Sequence, residues 1–421
     1  MGMFDLDTIR AGLFHEPILS GEPRCSNPSK RPDRTRSYLL LVNAYSFRPP
    51  QPLRDEERGI RKSGVGQQAT YNMGESIPLF DIYPPLINTA CPWATTIDDL
   101  RLLYKCPSTG AVTTRTSLVN GFDHDPEKHQ YAFFDAAQAG SAQNTSVNSL
   151  GYSPLTLEAY LGFIKTISDE QLSWSAKGFI VSVTGSVEDI AASYKLIASA
   201  ARGVQFPLAM EINLSCPNIP DMPPPAYSGE ALTTYLNRLQ QVIIETANNT
   251  DDNTPRIPVG LKTPPYTHST QYHTLIAALE ATALTGGHCP ISFITATNTL
   301  GSCLLFEPPP SLSNPDSQYP SMETALPGPG IGGMAGAALH PLALGNVVTL
   351  RRLLDERWPD EAGGSVNRGR VRLVGVGGVS DAAGYLRMRT AGADVVGLAT
   401  GLGLRGVGVF AEVEGGLERG W

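Results

Sequence analysis

A chain of 421 residues, 41% hydrophobic and 17% charged, is long enough to bury one large core or two small ones and has the composition of a globular enzyme. Its formal net charge of -8 argues against a nucleic-acid partner held on a basic face. The cysteines, Cys25, Cys91, Cys106, Cys216, Cys289 and Cys303, have neither metal-ligand spacing nor the density of a disulfide framework, so free thiols in a reducing compartment and no metal site are expected.

Residues 1–76 are rich in Arg, Pro, Ser and Gly and carry little sustained periodicity. They read as a disordered or poorly packed extension ahead of a catalytic domain over 77–421. Asp55, Glu56 and Glu57 weigh against a transit peptide, which is poor in acids; a misassigned first exon competes with the extension. Met1–Gly12 has no apolar core for a secretory signal, and Tyr38–Val42 is far shorter than the ~20 residues of a spanning helix. A cytoplasmic protein without membrane contact is expected.

From about residue 78 short β-prone runs alternate with helical segments. The runs are Ile82–Ala90, Ala111–Ser117, Phe179–Thr184, Met210–Ser215, Ile257–Lys262, Ile291–Ala296, Val371–Gly375 and Asp394–Leu398. Between them, Leu157, Tyr160, Leu161, Ile164 and Ile167, and then Leu232, Leu236, Leu239, Val242 and Ile243, recur at helical spacing. Eight alternations predict an α/β fold, a (β/α)8 TIM barrel; a doubly wound open sheet is the competing arrangement.

In a barrel the reactive groups lie at the carboxyl ends of the strands. The polar residues of this chain fall there: Arg115 and Thr116 after the second run, Asn213 and Cys216 after the fourth, Lys262 at the end of the fifth, Asn298 and Thr299 after the sixth. Cys216 stands between Asn213 and Asn218 and enters a proline-rich loop, which favours a proton-moving thiol over a small core residue. Lys262 ends an apolar strand and precedes two prolines, an unusual setting for a surface lysine. Gly375, Gly377 and Gly378 after the seventh run, and Ala399, Thr400 and Gly401 after the eighth, form either turn punctuation or an anion cradle of backbone amides. A phosphate grip, a strand-end lysine and a thiol together point to FMN, whose reduced form a nearby cation stabilises.

These residues also carry a family resemblance. Asn213-Leu214-Ser215-Cys216-Pro217-Asn218, the Lys262–Tyr266 segment and the Val374–Val379 turn resemble class 1 dihydroorotate dehydrogenases, most closely the soluble class 1A type, and the match runs in order from about Leu86 to Gly401. Asn148-Ser149-Leu150-Gly151 and Asn298-Thr299-Leu300-Gly301 fall where that family keeps its substrate-binding asparagines. The resemblance implies oxidation of (S)-dihydroorotate to orotate in pyrimidine synthesis, with Cys216 as general base, FMN as hydride acceptor, fumarate as final oxidant and a homodimeric assembly. It implies substrate contacts from Asn148, Gly151, Asn213, Asn218, Asn298 and Thr299. It implies FMN contacts from Ala90, Arg115, Thr116, Asn213, Lys262, Gly336, Gly377, Gly378, Ala399 and Thr400.

The chain departs from the family pattern at several points. Arg115 stands where a lysine is usual, the loop 118–126 lacks the expected basic residues, Cys91-Pro92 replaces a small residue and glycine, and Ala335-Gly336 replaces a glycine pair. Two alternatives follow: an FMN oxidoreductase acting on another pyrimidine, and a catalytically weak paralogue that binds a pyrimidine or flavin.

Overall fold

The computed structural model describes residues 77–136, 143–215, 224–248, 254–284, 287–307, 323–359 and 370–417. All fall within one compact unit spanning Ala69–Trp421. The extension expected over residues 1–76, together with Cys216 and Asn218, lies outside the described residues.

In chain order the first half runs β1 (Leu86–Asn88), α1 (Ile97–Lys105), β2 (Val112–Thr113), β3 (Tyr131–Phe134), β4 (Thr145–Asn148), α2 (Leu157–Asp169), β5 (Phe179–Val183), α3 (Val187–Ala201), β6 (Leu208–Asn213) and α4 (Gly229–Asn248). The second half runs β7 (Val259–Thr263), α5 (Ser269–Ala281), β8 (Phe293–Ala296), β9 (Leu300–Leu304), β10 (Ile331–Gly336), α6 (His340–Arg357), β11 (Arg372–Val376), α7 (Ala382–Thr390), β12 (Val395–Leu398), α8 (Thr400–Arg405) and α9 (Gly408–Gly415). Each of the eight runs read as a strand contains one of β1, β2, β5, β6, β7, β8, β11 and β12 or overlaps it within two residues. These eight pair in parallel in the order β1-β12-β11-β8-β7-β6-β5-β2. A parallel bridge from Ile87 to Ala111 joins the two ends of that order, so the sheet closes into the (β/α)8 barrel and the open-sheet alternative falls away.

The closing seam is short of backbone pairing, and a side chain makes up the deficit. Asn88, fully buried at the end of β1, donates from Nδ2 to the Thr113 carbonyl at 2.6 Å and accepts from the Thr113 N–H at 3.0 Å. Its amide thus takes the part of a strand residue opposite β2.

Helices begin where short polar side chains satisfy their first N–H groups. Thr96 and Asp99 form a capping box on α1, Ser186 and Asp189 another on α3, and Thr156 accepts from Ala159 N on α2. The periodic Leu157, Tyr160, Ile164 and Ile167 are buried on α2, as are Leu232, Leu236, Leu239 and Val242 on α4, where they pack against the outward side chains of the strands.

Alternation along each strand fills the barrel in layers. Ile87, Ala111, Ile180, Ala209, Phe293, Val374 and Val395 form an interior apolar cluster near the amino ends of the strands, plugged by Leu79. Two residues further on, the same faces carry Ser182, Glu211, Lys262 and Thr295, all buried. Above the carboxyl ends lies an antiparallel sheet in the order β3-β4-β10-β9. The sequence reading missed this sheet: β10 reads Ile-Gly-Gly-Met-Ala-Gly, with little β propensity, and its pairing partner β4 comes from a loop far earlier in the chain.

Asn88→Ala strands two buried backbone groups at the seam and is expected to lower the unfolding free energy by about 2–4 kcal/mol. Urea unfolding followed by circular dichroism measures it, and a midpoint equal to the wild type would contradict the seam role.

Candidate active site

The polar layer of the barrel continues upward as one hydrogen-bonded network. Glu211 is buried in the barrel interior and accepts from Ser182 Oγ at 2.9 Å and Thr295 Oγ1 at 2.6 Å. Ser182 Oγ lies 2.9 Å from Thr116 Oγ1, which in turn accepts from Asn213 Nδ2 at 3.0 Å. Asn213 Oδ1 accepts from Ser215 Oγ at 3.0 Å and from Asn298 Nδ2 at 3.1 Å, and Asn298 Nδ2 also reaches Ser215 Oγ at 3.0 Å. Glu211 and Asn213 share a face because they are two apart on β6. The network therefore ties the ends of β2, β5, β6 and β8 to one rigid frame.

Two cations stand on this frame. Lys262 is the register partner of Asn213 on β6 and of Thr295 on β8; it is buried and its Nζ lies 3.5 Å from the Ala90 carbonyl. No described carboxylate forms an ion pair with it. Arg115 is buried just beyond β2 and donates to the Tyr152 carbonyl at 3.1 Å and to Thr95 Oγ1 at 3.5 Å. In the loop 118–126, His124 is held below its ordinary range by burial and by Arg115, and its ring lies 5.2 Å from that of His129.

On the opposite side the chain makes a cradle of backbone. Gly336 ends β10 at φ 85° and Gly378 follows β11 at φ 72°, conformations that favour glycine. A Cβ on Gly336 would lie 2.5 Å from the Asn144 carbonyl oxygen, and one on Gly378 would lie 2.6 Å from the Gly336 carbonyl oxygen. Beside them Ser146 Oγ and Thr400 Oγ1 are 3.0 Å apart.

Cationic frame and glycine cradle face one cavity of about 360 Å³. Among the described residues its lining includes Arg115, Lys262 and Arg405 and no aspartate or glutamate, although the whole chain is acidic. Thr297, just beyond β8, lines the cavity with a buried hydroxyl that has no partner among the described residues. A small anionic ligand rich in hydrogen-bonding groups is what this wall suits.

The comparisons with known proteins agree with that geometry. Residues 137–420 match the family model described as dihydroorotate dehydrogenase. The chain belongs to the dihydroorotate dehydrogenase family. It is therefore grouped with oxidoreductases. Among its relatives, dihydroorotate dehydrogenase (fumarate) of Trypanosoma cruzi is 29% identical over 331 residues, covering 78% of this chain and 87% of that one. Dihydroorotate dehydrogenase A (fumarate) of Lactococcus lactis subsp. cremoris is 24% identical over 336 residues, covering 79% and 89%. The crystal structure of a ligand-free DHODH from Eimeria tenella shares the fold, with a TM-score of 0.57 at 15% identity over 83% of this chain and 88% of that one.

Within this dihydroorotate dehydrogenase fold the residues singled out in the sequence converge. Ala90, Arg115, Thr116, Asn148, Gly151, Asn213, Lys262, Asn298, Thr299, Gly336, Gly377, Gly378, Ala399 and Thr400 all line the one cavity. Cys216 and Asn218 belong to the stretch outside the described residues. What the sequence reading missed also lines it: Ser146, Thr297, Arg405, Trp93 and Tyr131. Ser146 was within reach, being two residues before Asn148 on β4 and so on its face. Thr297 follows β8 directly, where a barrel keeps its site. Trp93 and Tyr131 gave no local signal; Tyr131 begins β3, and the two rings meet edge to face at 5.6 Å.

Cys91, also in the cavity wall, is in the opposite state to a reactive thiol. Burial pushes its pKa up to about 12, outweighing the lowering by a Trp93 backbone hydrogen bond and by Lys262 and Arg115. With the folded value raised, the unfolded chain releases this proton first. The associated stability is present below about pH 9 and is lost as pH rises from there toward 12. Cys289, likewise pushed up to about 12 by burial, adds a second share. Cys91→Ala is expected to flatten the fall of unfolding free energy above pH 9 by up to about 1.4 kcal/mol per pH unit. Urea titrations at several pH values between 9 and 10.5 test this, and an unchanged slope would refute it.

Proposed function

We propose that this chain oxidises (S)-dihydroorotate to orotate with FMN as cofactor, in pyrimidine biosynthesis, and that fumarate reoxidises it. The observation that carries the reading is one cavity whose amide- and cation-bearing end adjoins a glycine cradle, with no carboxylate among its described lining residues. Family membership and relatives named for the fumarate-linked reaction support it.

The residues present fit FMN on their own chemistry. The turns at Gly336, Gly377 and Gly378 pack so closely on Asn144, Ala343 and the Gly336 carbonyl that a Cβ at any of them would clash, and all three line the cavity; bare glycine backbone there suits a phosphate approached by N–H groups. Thr400 and Ser146 add hydroxyls there. At the other end the Thr297 hydroxyl, without a partner among the described residues, the Ala90 carbonyl and the Lys262 ammonium suit the polar edge of a planar ring system. When bound, FMN supplies the acceptor for the hydride leaving C6 of dihydroorotate.

The chain's own residues do the rest. Asn148, Asn213, Asn298 and Asn218 hold the pyrimidine amide groups, with Gly151 and Thr299 beside them, and Arg115 provides charge for the carboxylate. Cys216 takes the proton from C5. It follows Ser215, whose hydroxyl is bonded to both Asn213 and Asn298, so the base is one peptide away from a serine tied to the asparagines that orient the substrate. Lys262 stabilises negative charge that develops in the ring system during reduction. A thiol with an unperturbed pKa of about 8.5 needs only modest electrostatic help to serve as a base near neutrality, and the cationic wall supplies the right sign.

A second reading, oxidation or reduction of a different pyrimidine, is favoured by Arg115 alone. Its planar guanidinium is anchored on Tyr152 and Thr95 and presents a different donor pattern from the lysine expected there. Dimerisation through the β3-β4-β10-β9 sheet is part of the same proposal, supported by the exposed Tyr131, Leu304, Phe306 and Ile331 on or beside it. No helix among the described residues is long and apolar enough to cross a membrane, and a cytoplasmic location accords with the reading.

Purified protein should carry a yellow flavin that dihydroorotate bleaches without oxygen; bleaching by dihydrouracil instead would move the assignment to the second reading. Cys216→Ala is expected to keep its flavin and slow that reduction at least ~10²-fold, and reduction at the wild-type rate would remove Cys216 from the base role. Lys262→Ala is expected to weaken flavin binding or shift its visible spectrum, as a flavin titration followed by absorbance would report.

A further inference from the structure

Behind the glycine cradle, one side chain outside the cavity lining reaches the turn from the rear. His340 opens α6, is buried, and follows Gly336 by four residues. Its Nδ1 lies 2.7 Å from the Gly377 carbonyl oxygen, and its Nε2 lies 3.0 Å from Arg387 Nε. A guanidinium N–H only donates, so Nε2 carries the lone pair and the ring proton sits on Nδ1, donating to Gly377. Arg387 belongs to α7, the helix that the glycine turn leads into, whose start is capped by Asp381 Oδ1 accepting from Gly384 N at 2.6 Å. The chain of bonds thus runs from α7 through α6 back to the turn between β11 and α7.

The Gly377 carbonyl and the Gly378 N–H belong to one planar peptide unit, in which the two point in opposite directions. Pulling the oxygen toward His340 therefore aims the N–H away from His340, which is itself outside the cavity lining, and Gly378 is a lining residue. The turn also packs closely on the same neighbours: a Cβ on Gly378 would meet the Gly336 carbonyl oxygen at 2.6 Å and His340 Cβ at 2.7 Å.

We propose that His340, held as its Nδ1–H tautomer by Arg387, is a positioning residue that turns the Gly377–Gly378 peptide so that its N–H meets the phosphate of the bound ligand. The inference rests on the FMN reading above and makes a demand that reading does not: the device acts on a phosphate monoester and not on the ring system. FMN and riboflavin, which lacks the phosphate, separate the two.

The test is a fluorescence titration of the full-length, deflavinated protein with FMN and, in parallel, with riboflavin. His340→Ala is expected to weaken FMN about tenfold, roughly the worth of one hydrogen bond, while riboflavin affinity stays within about twofold. His340→Asn, whose Nδ2 hydrogens stand near the place of Nδ1–H, should restore FMN affinity to within about threefold of wild type. Arg387→Ala should weaken FMN and spare riboflavin. Parallel weakening of both flavins would overturn the proposal, because it would mark His340 as a packing residue; so would FMN affinity unchanged in His340→Ala. If that variant does not fold, Arg387→Ala and His340→Asn decide by the same comparison. A wild-type protein that binds neither flavin would instead sink the FMN reading itself.

Discussion

A closed barrel of eight strands must fill its own interior with every second residue, and in this protein that constraint decides where the chemistry can be. On β6 the inward face reads Ala209, Glu211, Asn213, passing from apolar plug to buried carboxylate to site amide within three steps. A carboxylate at that depth requires hydrogen-bonded partners, because a buried polar group without them costs more than most core contacts return. Ser182 and Thr295 provide them from neighbouring inward faces, and Thr116 extends the network to Asn213. The orientation of Asn213 and, through it, Asn298 is thereby set from below, by Ser182, Glu211 and Thr295, which do not themselves line the cavity.

This layering explains what was legible in the sequence. Strands of a parallel barrel are buried on both faces and appear as short β-prone runs, so all eight emerged from the pattern, with ends shifted by a few residues; Ile82–Ala90, for example, narrows to Leu86–Asn88. Strand-end residues such as Lys262 and Asn298 then mark the site automatically. The four-stranded sheet over the mouth was not legible, since its strands come from two loops nearly 200 residues apart and one of them is half glycine. Trp93 illustrates the limit at the level of one residue. It enters the wall only because Gly403 leaves room for its indole, where a Cβ would sit 2.2 Å from the ring, a contact between positions unrelated in local sequence.

Charge is arranged against the average of the chain. A protein of net charge -8 would repel an anionic ligand over most of its surface, yet the described cavity wall holds Arg115, Lys262 and Arg405 and no acid. Buried or partly buried cations act at short range in a low dielectric and are screened little by salt. The same field that attracts an anion is insufficient at Cys91, where complete burial outweighs both Lys262 and Arg115 and the thiol remains protonated. Burial and charge thus compete within one wall, and a cysteine there becomes reactive only where water or hydrogen-bond donors reach it.

The end of β7 shows how little independent movement the site elements have. Lys262 lies on that strand, and Tyr266, four residues on and fully buried, donates from its hydroxyl to the Ala226 carbonyl at 3.0 Å. Ala226 N in turn donates to the Leu214 carbonyl at 3.2 Å. Leu214 and Ala226 flank the segment that carries Cys216, so the described ends of that segment are tied to the same loop that follows the lysine. Asn346 of α6 holds Tyr266 by both its N–H and its carbonyl, at 2.8 and 3.0 Å. The helix that His340 opens therefore braces both halves of the cavity, the glycine cradle at its first turn and the β7 loop nearly two turns later. A strain introduced along α6 cannot be confined to one of them.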